Sequence, residues 1–296
     1  VDICLSGDTI LIGTGVYPQI VNSEHYGRGL TILGVDIDSC IIDVSGFPLE
    51  PLLKVFRFTD DLTIKNLTFK TRLGTTEHIA IYTFGPTFGY NIVNITNVNF
   101  IGMFREAVAL LKTSGSIQNS YFYASTMAIG GPEWTSSQPM LIANNLFYRV
   151  KVGIESDYSY IFGNTFIETH AYAVSFNDFF GSSVDVKNNF MHGRNNDVGV
   201  NNVPNSIENN VIINFARGIT MRPGTRVVNN VIMKAREYAI YTRHPLTTAH
   251  VNYNCFYNNG TLTNDTALFN LDTTIYYTAD PMFENQDSNN YLLQMF

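Results

Sequence analysis

Along this chain, Asn recurs two or three residues ahead of an aromatic or aliphatic residue. The first copies are Asn66-Leu-Thr-Phe69, Asn97-Val-Asn-Phe100, Asn119-Ser-Tyr-Phe122 and Asn144-Asn-Leu-Phe147. The pattern continues through Asn164-Thr-Phe166, Asn188-Asn-Phe190, Asn209-Asn-Val-Ile212, Asn229-Asn-Val-Ile232 and Asn254-Cys-Phe256. Successive anchors lie 19 to 31 residues apart, a period of about 23 with loop insertions. Each copy is followed by a small residue and then an aliphatic one: Ala80-Ile81, Ala128-Ile129, Gly153-Ile154, Ala173-Val174, Gly199-Val200, Gly218-Ile219 and Ala239-Ile240. After Phe100 either Ala107-Val108 or Ala109-Leu110 fits. No stretch sustains a helical period with caps, so each unit is predicted to hold two or three short strands separated by turns.

A unit this short cannot bury its own apolar face, but stacked units share one continuous core and pair each strand with its neighbour. The pattern therefore predicts an all-β parallel solenoid of about 10–11 coils, each of roughly 23 residues. Asn has two physical uses at a fixed place in each coil. It tolerates the left-handed backbone of a sharp bend, and stacked amides can hydrogen-bond from coil to coil. The chain reads as one domain: a cap and first coil over 1–29, repeat coils over 30–256 and a closing segment over 257–296.

Composition narrows the class. Of 296 residues, 45% are apolar and only 15% charged, while Asn alone numbers 32. Disorder is excluded, because disordered chains combine low hydrophobicity with high net charge. No apolar run reaches the roughly 20 residues that span a bilayer, so no membrane span is expected. A net charge of −7 argues against nucleic acid as a partner. The low charge with abundant Asn, Thr and Tyr points to an extracellular or cell-surface protein. Cys4, Cys40 and Cys255 show no metal-ligand spacing, and their pairing is left open.

With these repeats on the page, the sequence resembles the right-handed parallel β-helix of the pectin-lyase-like superfamily, in its Asn-rich extracellular branch. Gly7-Asp-Thr-Ile-Leu-Ile-Gly-Thr-Gly-Val-Tyr17 resembles the first coil of such proteins, which follows a short capping helix. Leu30-Thr-Ile-Leu-Gly34 and Ser39-Cys-Ile-Ile-Asp43 resemble the next coil. Ala279-Asp-Pro-Met-Phe283 and Tyr291-Leu-Leu-Gln294 are similar to the closing segment of bacterial members. Both ends are expected to be cuts from a longer parent chain. The superfamily spans lyases, hydrolases, esterases, adhesins and inert scaffolds, so function has to come from side chains.

Strand alternation makes the aliphatic residue of the small-aliphatic pair point inward, and the residues one and three places later point outward. Two outward columns follow. One runs Gly130, Glu155, Ser175, Asn201, Thr220, Tyr241; the other runs Pro132, Asp157, Asn177, Val203, Arg222, Arg243. The predicted strip carries Glu155 and Asp157 at one end and Arg222 and Arg243 at the other, and these four are the candidate catalytic groups. Glu133, Trp134, Asn177, Asn201 and Tyr241 are the candidate substrate-binding residues. Aromatic faces stack on sugar rings, and amides hydrogen-bond sugar hydroxyls.

For β-elimination from a uronic acid, an Arg neutralises the carboxylate or removes the C5 proton, and Glu155, Asp157 and Asp178 are a candidate calcium set. Arg217-Gly-Ile-Thr-Met-Arg222-Pro-Gly-Thr225 looks like the Arg-bearing strand of the alginate-lyase and chondroitinase-B group, although Asn201 and Asn202 stand where that group has a Lys. Glycoside hydrolysis would need two carboxylates, from Glu155, Asp157 and Asp178. Asp60-Asp61 resembles the acidic pair of polygalacturonases, but His192-Gly193 lies coils away, so that identity is rejected. The leading expectation is an extracellular module that binds, and in one version cleaves, a polysaccharide. Its rivals are a structural subunit of a self-assembling surface layer, sheath or filament, and a uronic-acid lyase.

Overall fold

A computed structural model of the chain describes residues 7–18, 21–22, 29–47, 53–74, 78–85, 90–133, 138–176, 183–243, 250–265, 276–277, 281, 283–285 and 290–293. They build an all-β parallel solenoid of about nine turns, with coils about 24 residues apart and no helix among the described residues. One coil shows the plan. Tyr158–Phe162 lies on a first face, Thr165–Thr169 on a second and Tyr172–Ser175 on a third. Each pairs in parallel with the corresponding strands of the coils before and after it. The first two faces form a single 21-stranded sheet, because Leu62–Lys70 and Asn91–Ile101 run unbroken around the corner between them. The third face is an 11-stranded sheet.

Each face contributes an inward ladder to one core. Ile32, Ile64, Ile95, Ile117, Ile142 and Ile161 are in register on the first face. On the second, Phe69, Phe100, Phe122, Phe147 and Phe166 stack with centroids 5.4, 4.8, 4.8 and 4.5 Å apart. Met191, Ile212, Ile232 and Phe256 continue that ladder. This corrects the sixth repeat copy, whose inward anchor is Met191 rather than Phe190. On the third face Val108 falls in register with Ile81 and Ile129, so Ala107-Val108 is the small-aliphatic pair of its coil. A Cβ added to Gly153, Gly199 or Gly218 would come within 2.6 Å of the second-face core residues Phe166, Ile212 and Ile232. The position abuts the core, which is why only Gly and Ala occupy it.

The two uses of Asn fall on adjacent residues. At the corner between the first and second faces, Asn119, Asn144, Asn188, Asn209 and Asn229 hold the left-handed backbone, with φ between 51 and 57°. The next residue turns inward: Asn145, Asn164, Asn189, Asn210, Asn230 and Asn254 are all buried. From Asn164 to Asn254, the Oδ1 of each accepts the backbone N–H and Nδ2 of the ladder Asn one coil earlier at 2.9–3.1 Å, and Asn145 Oδ1 accepts the Ser120 N–H at 2.9 Å. Each Nδ2 also donates to a main-chain carbonyl, as from Asn164 to Ile142 at 2.8 Å. A buried amide is tolerated only when its polar atoms are satisfied, and this ladder meets that condition coil after coil.

Candidate functional site

The third face carries the first predicted column. Gly130, Glu155, Ser175, Asn201, Thr220 and Tyr241 are Cα partners in consecutive coils. Their neighbours are about 4.8 Å apart, the spacing of paired strands. Ser175, Asn201 and Thr220 are nevertheless buried, and Glu155 and Tyr241 are half-buried. The column is held together from within: Asn201 Nδ2 donates to Ser175 Oγ at 3.2 Å. The Arg217 guanidinium lies 4.2 Å from the Tyr241 ring centroid and 3.0 Å from the Glu237 carboxylate.

The second column does not face outward along its length. Asp157 is 5% exposed and Val203 belongs to the core. The physical reason is the strand end. Val152–Glu155 and Val198–Asn201 stop two residues before these positions, and the chain has by then bent toward the next face, where strict alternation no longer applies. The Asp157 carbonyl already accepts the Ser183 N–H at 3.0 Å, as part of the first-face pairing. Arg222 and Arg243 each immediately follow a member of the registered pair Met221 and Thr242. The Arg222 guanidinium sits 4.9 Å from the Phe176 ring centroid, and Arg243 is exposed.

Glu155 and the two arginines start from different coils. From Glu155 to the coil of Arg222 is three coil steps, about 14 Å, and to that of Arg243 four steps, about 19 Å. Among the described residues no three His, Cys, Asp or Glu side chains gather as a metal site. Trp134, Asn177 and Asp178 lie outside the described residues, and Glu133 ends the strand Met127–Glu133 with its Cα opposite Leu111.

Two hollows flank the N-terminal part of the strip. One, of about 340 Å³, is lined by Lys54, Tyr82, Arg105, Glu106, Gly130 and Glu155 among others. Lys54 Nζ stands 3.6 Å above the Tyr82 ring centroid. Burial pulls the Lys54 pKa below the usual lysine range, nearby Arg57 lowers it further, and Glu106 opposes both. The other hollow is an open groove of about 690 Å³ at the corner between the second and third faces, lined by Arg105, Ser125, Thr126, Arg149, Lys151 and His170 together with Met103 and Ala124.

This corner is built on charge. Arg149 Nε donates to Glu168 Oε2 at 2.8 Å, and Arg194 Nη2 reaches the same oxygen at 2.5 Å. The hydrogen bond from Arg194 is the largest effect on Glu168 and helps hold its pKa below the usual carboxylate range, against a smaller upward push from burial. Burial, then Arg194 and Arg149, lower the His170 pKa, and Glu168 opposes them. The Arg149 guanidinium also lies 5.0 Å from the Tyr148 ring centroid. Arg149, Lys151, Ser125 and His170 were not among the residues the sequence singled out. They sit in turns with no motif of their own. Their signal is positional: in a charge-poor chain, Arg105, Arg149, Lys151, His170, Arg194 and Arg236 all fall in the few residues before a small-aliphatic pair.

The chain matches no protein-family model, and it matches no curated protein and no solved structure.

Proposed function

We propose that the chain is an extracellular polysaccharide-binding module, a right-handed β-helix of the pectin-lyase-like kind, that holds a glycan along the outside of its third face. The observation that carries this reading is the registered column from Gly130 through Glu155, Ser175, Asn201 and Thr220 to Tyr241, with hollows beside it. A face built on a fixed coil spacing, with half-buried Glu155 and Tyr241 along it, suits a polymer that repeats its rings and hydroxyls. Binding is favoured over cleavage because Glu155 and the arginine pair are about 14 Å or more apart by coil spacing. Tyr241, half-buried and held by the Arg217 guanidinium 4.2 Å from its ring centroid, is the aromatic group of this column.

The test is a panel of neutral and uronic-acid oligosaccharides, offered with and without calcium. Titration calorimetry would follow binding, and reducing ends and the ultraviolet absorbance of unsaturated products would follow cleavage. Binding without product formation is expected, with Tyr241→Ala weakening it by about tenfold, equivalent to about 1.4 kcal/mol. Product formation would move the reading to a lyase or a hydrolase. Silence across the panel, together with self-association in sedimentation, would replace it with a structural subunit.

A further inference from the structure

We propose that the groove at the corner between the second and third faces is an oxyanion site that takes the carboxylate or sulfate groups of an acidic glycan. This deepens the polysaccharide reading and rests on it for the polymer, while the anion site itself stands on the groove. The side chains lining it are donors. Arg105, Arg149 and Lys151 bring cationic N–H groups, Ser125 and Thr126 hydroxyls and His170 a ring, and among the described residues no carboxylate lines the groove. An acceptor-only group is the chemical complement of such a wall.

Ser125 supplies the independent sign. Its side chain is 1% exposed, lines the groove, and its Oγ has no hydrogen-bond partner. A buried hydroxyl left unpaired is costly, and an oxygen of a bound anion would accept its proton. The surrounding charge agrees. Counting Arg194 and Asp197, the corner sets Arg105, Arg149, Lys151 and Arg194 against Glu106, Glu168 and Asp197, an excess of one positive charge in a chain of net −7. Glu168 does not face the ligand but fixes it a partner: it holds Arg149 at 2.8 Å and Arg194 at 2.5 Å, which orders the guanidinium that lines the groove.

The backbone adds to the case. Arg149 and its neighbour Glu168 take left-handed φ of 57 and 55°, a conformation that L-residues other than Asn rarely adopt. Strain of this kind persists where surrounding structure imposes it and gathers at ligand clamps. Sulfate and carboxylate present the same oxyanion chemistry to this wall and differ in charge density, so both belong in the test.

The whole chain would be titrated with a tri- or tetra-galacturonate, a sulfated oligosaccharide of equal length and a neutral cello-oligosaccharide, at low and moderate salt. Inorganic sulfate would be followed separately by amide and side-chain NMR shifts. Both acidic probes are expected to bind at least tenfold tighter than the neutral one and to weaken as salt rises; the tighter of the two names the anionic group. Arg149→Asn, which keeps a residue tolerant of left-handed backbone, combined with Lys151→Gln should lower acidic-probe affinity at least tenfold. Ser125→Ala should lower it about threefold while the melting temperature of the free protein stays at or above the parent's, since the unpaired hydroxyl is removed. Equal affinity for the neutral probe, or acidic binding untouched by the double variant, would overturn the anion site and leave the polysaccharide reading standing. If no oligosaccharide binds, that reading fails, and the site is then judged on sulfate alone: shifts at Ser125, Arg149 and Lys151 support it, and their absence overturns it.

Discussion

In six consecutive coils, the corner between the first and second faces places Asn119, Asn144, Gly163, Asn188, Asn209 and Asn229 in the left-handed conformation. In the same coils, the corner between the second and third faces places Ala124, Arg149, Glu168, Asn195, Asn214 and Lys234 there. The backbone solution is the same and the residue choice is not. In these six coils the first corner uses residues that adopt positive φ cheaply and, from Asn144 on, follows them with an amide that enters the ladder; the next coil has Tyr253 there instead. The second accepts a cost of about 1–2 kcal/mol per L-residue at Ala124, Arg149, Glu168 and Lys234. Where one conformation is built from two kinds of residue, the cheaper set reads as architecture and the dearer set as a place where particular side chains are wanted. The groove lies at the dearer corner.

The comparison breaks most sharply within one dipeptide. Asn188 only bends the chain, whereas Asn189 accepts from the Asn164 backbone and amide at 2.9 and 3.1 Å. Asn189 Nδ2 also donates to Ile161, Lys187 and Asn210 at 2.9–3.0 Å. Asn189→Ala is expected to cost about 3–5 kcal/mol, because it orphans buried groups on both neighbouring coils. Asn188→Ala should cost about 1 kcal/mol, the price of left-handed backbone alone. Denaturant unfolding of the two variants measures the gap. Equal losses would mean that the ladder contributes nothing beyond the bend.

Much of this architecture is legible in the sequence, because a repeat writes the same physical demand many times over. The third-face register follows from the small-aliphatic pairs, since Gly153, Gly199 and Gly218 abut core side chains and fix the phase of the strand. The ladder Asn also sets the phase of the second face. The inward anchor comes two residues after it, at Met191 after Asn189 as at Phe166 after Asn164. Phe190 reads as the anchor by its aromatic character, yet alternation gives the place to Met191. What the sequence hid lies where repetition stops. Asp157 and Val203 follow strand ends, and no period says which way a bend turns a side chain. Arg149 and Ser125 occupy turns whose spacing varies from coil to coil. Their joint position is a property of stacked coils, visible only once the coils are stacked.

Electrostatics at the dearer corner offers a second and smaller way to test the contrast. Burial pushes the Asp197 carboxyl above the usual aspartate range, to about 6, with Arg194 and Arg236 opposing it. A carboxyl whose folded pKa is raised binds its proton more tightly folded than unfolded. Its contribution is therefore complete below about pH 3.8 and is lost as pH rises through about 6. Glu168 has the opposite sign, because the hydrogen bond from Arg194 lowers its pKa: its stabilisation is present above the ordinary glutamate range and is lost as pH falls through the folded value. Asp197→Asn should raise stability at neutral pH relative to the parent and flatten the decline between about pH 4 and 6. Melting temperatures across that range read the slope. An unchanged slope would show that Asp197 ionises as freely in the fold as in the unfolded chain.

The smallest expected effect is also the most direct test of what the second corner gives up. Lys234 takes φ of 54°, equivalent in its coil to Asn229 at the first corner. Replacing it by Gly removes the left-handed penalty at the cost of extra freedom in the unfolded chain. Because the first effect is about 1–2 kcal/mol and the second about 0.4–1 kcal/mol, Lys234→Gly should stabilise the fold by about 0.5–1 kcal/mol. Asn229→Gly starts from a residue that already tolerates the conformation and removes its Nδ2 bond to Asn209 Oδ1 at 2.7 Å, so it should lower stability by about 0.5 kcal/mol. Paired unfolding curves for the two substitutions compare the corners with the same replacement in the same coil. If Lys234→Gly destabilises as a Gly in ordinary strand does, the second corner carries no strain, and its charged residues are there at no cost to the fold.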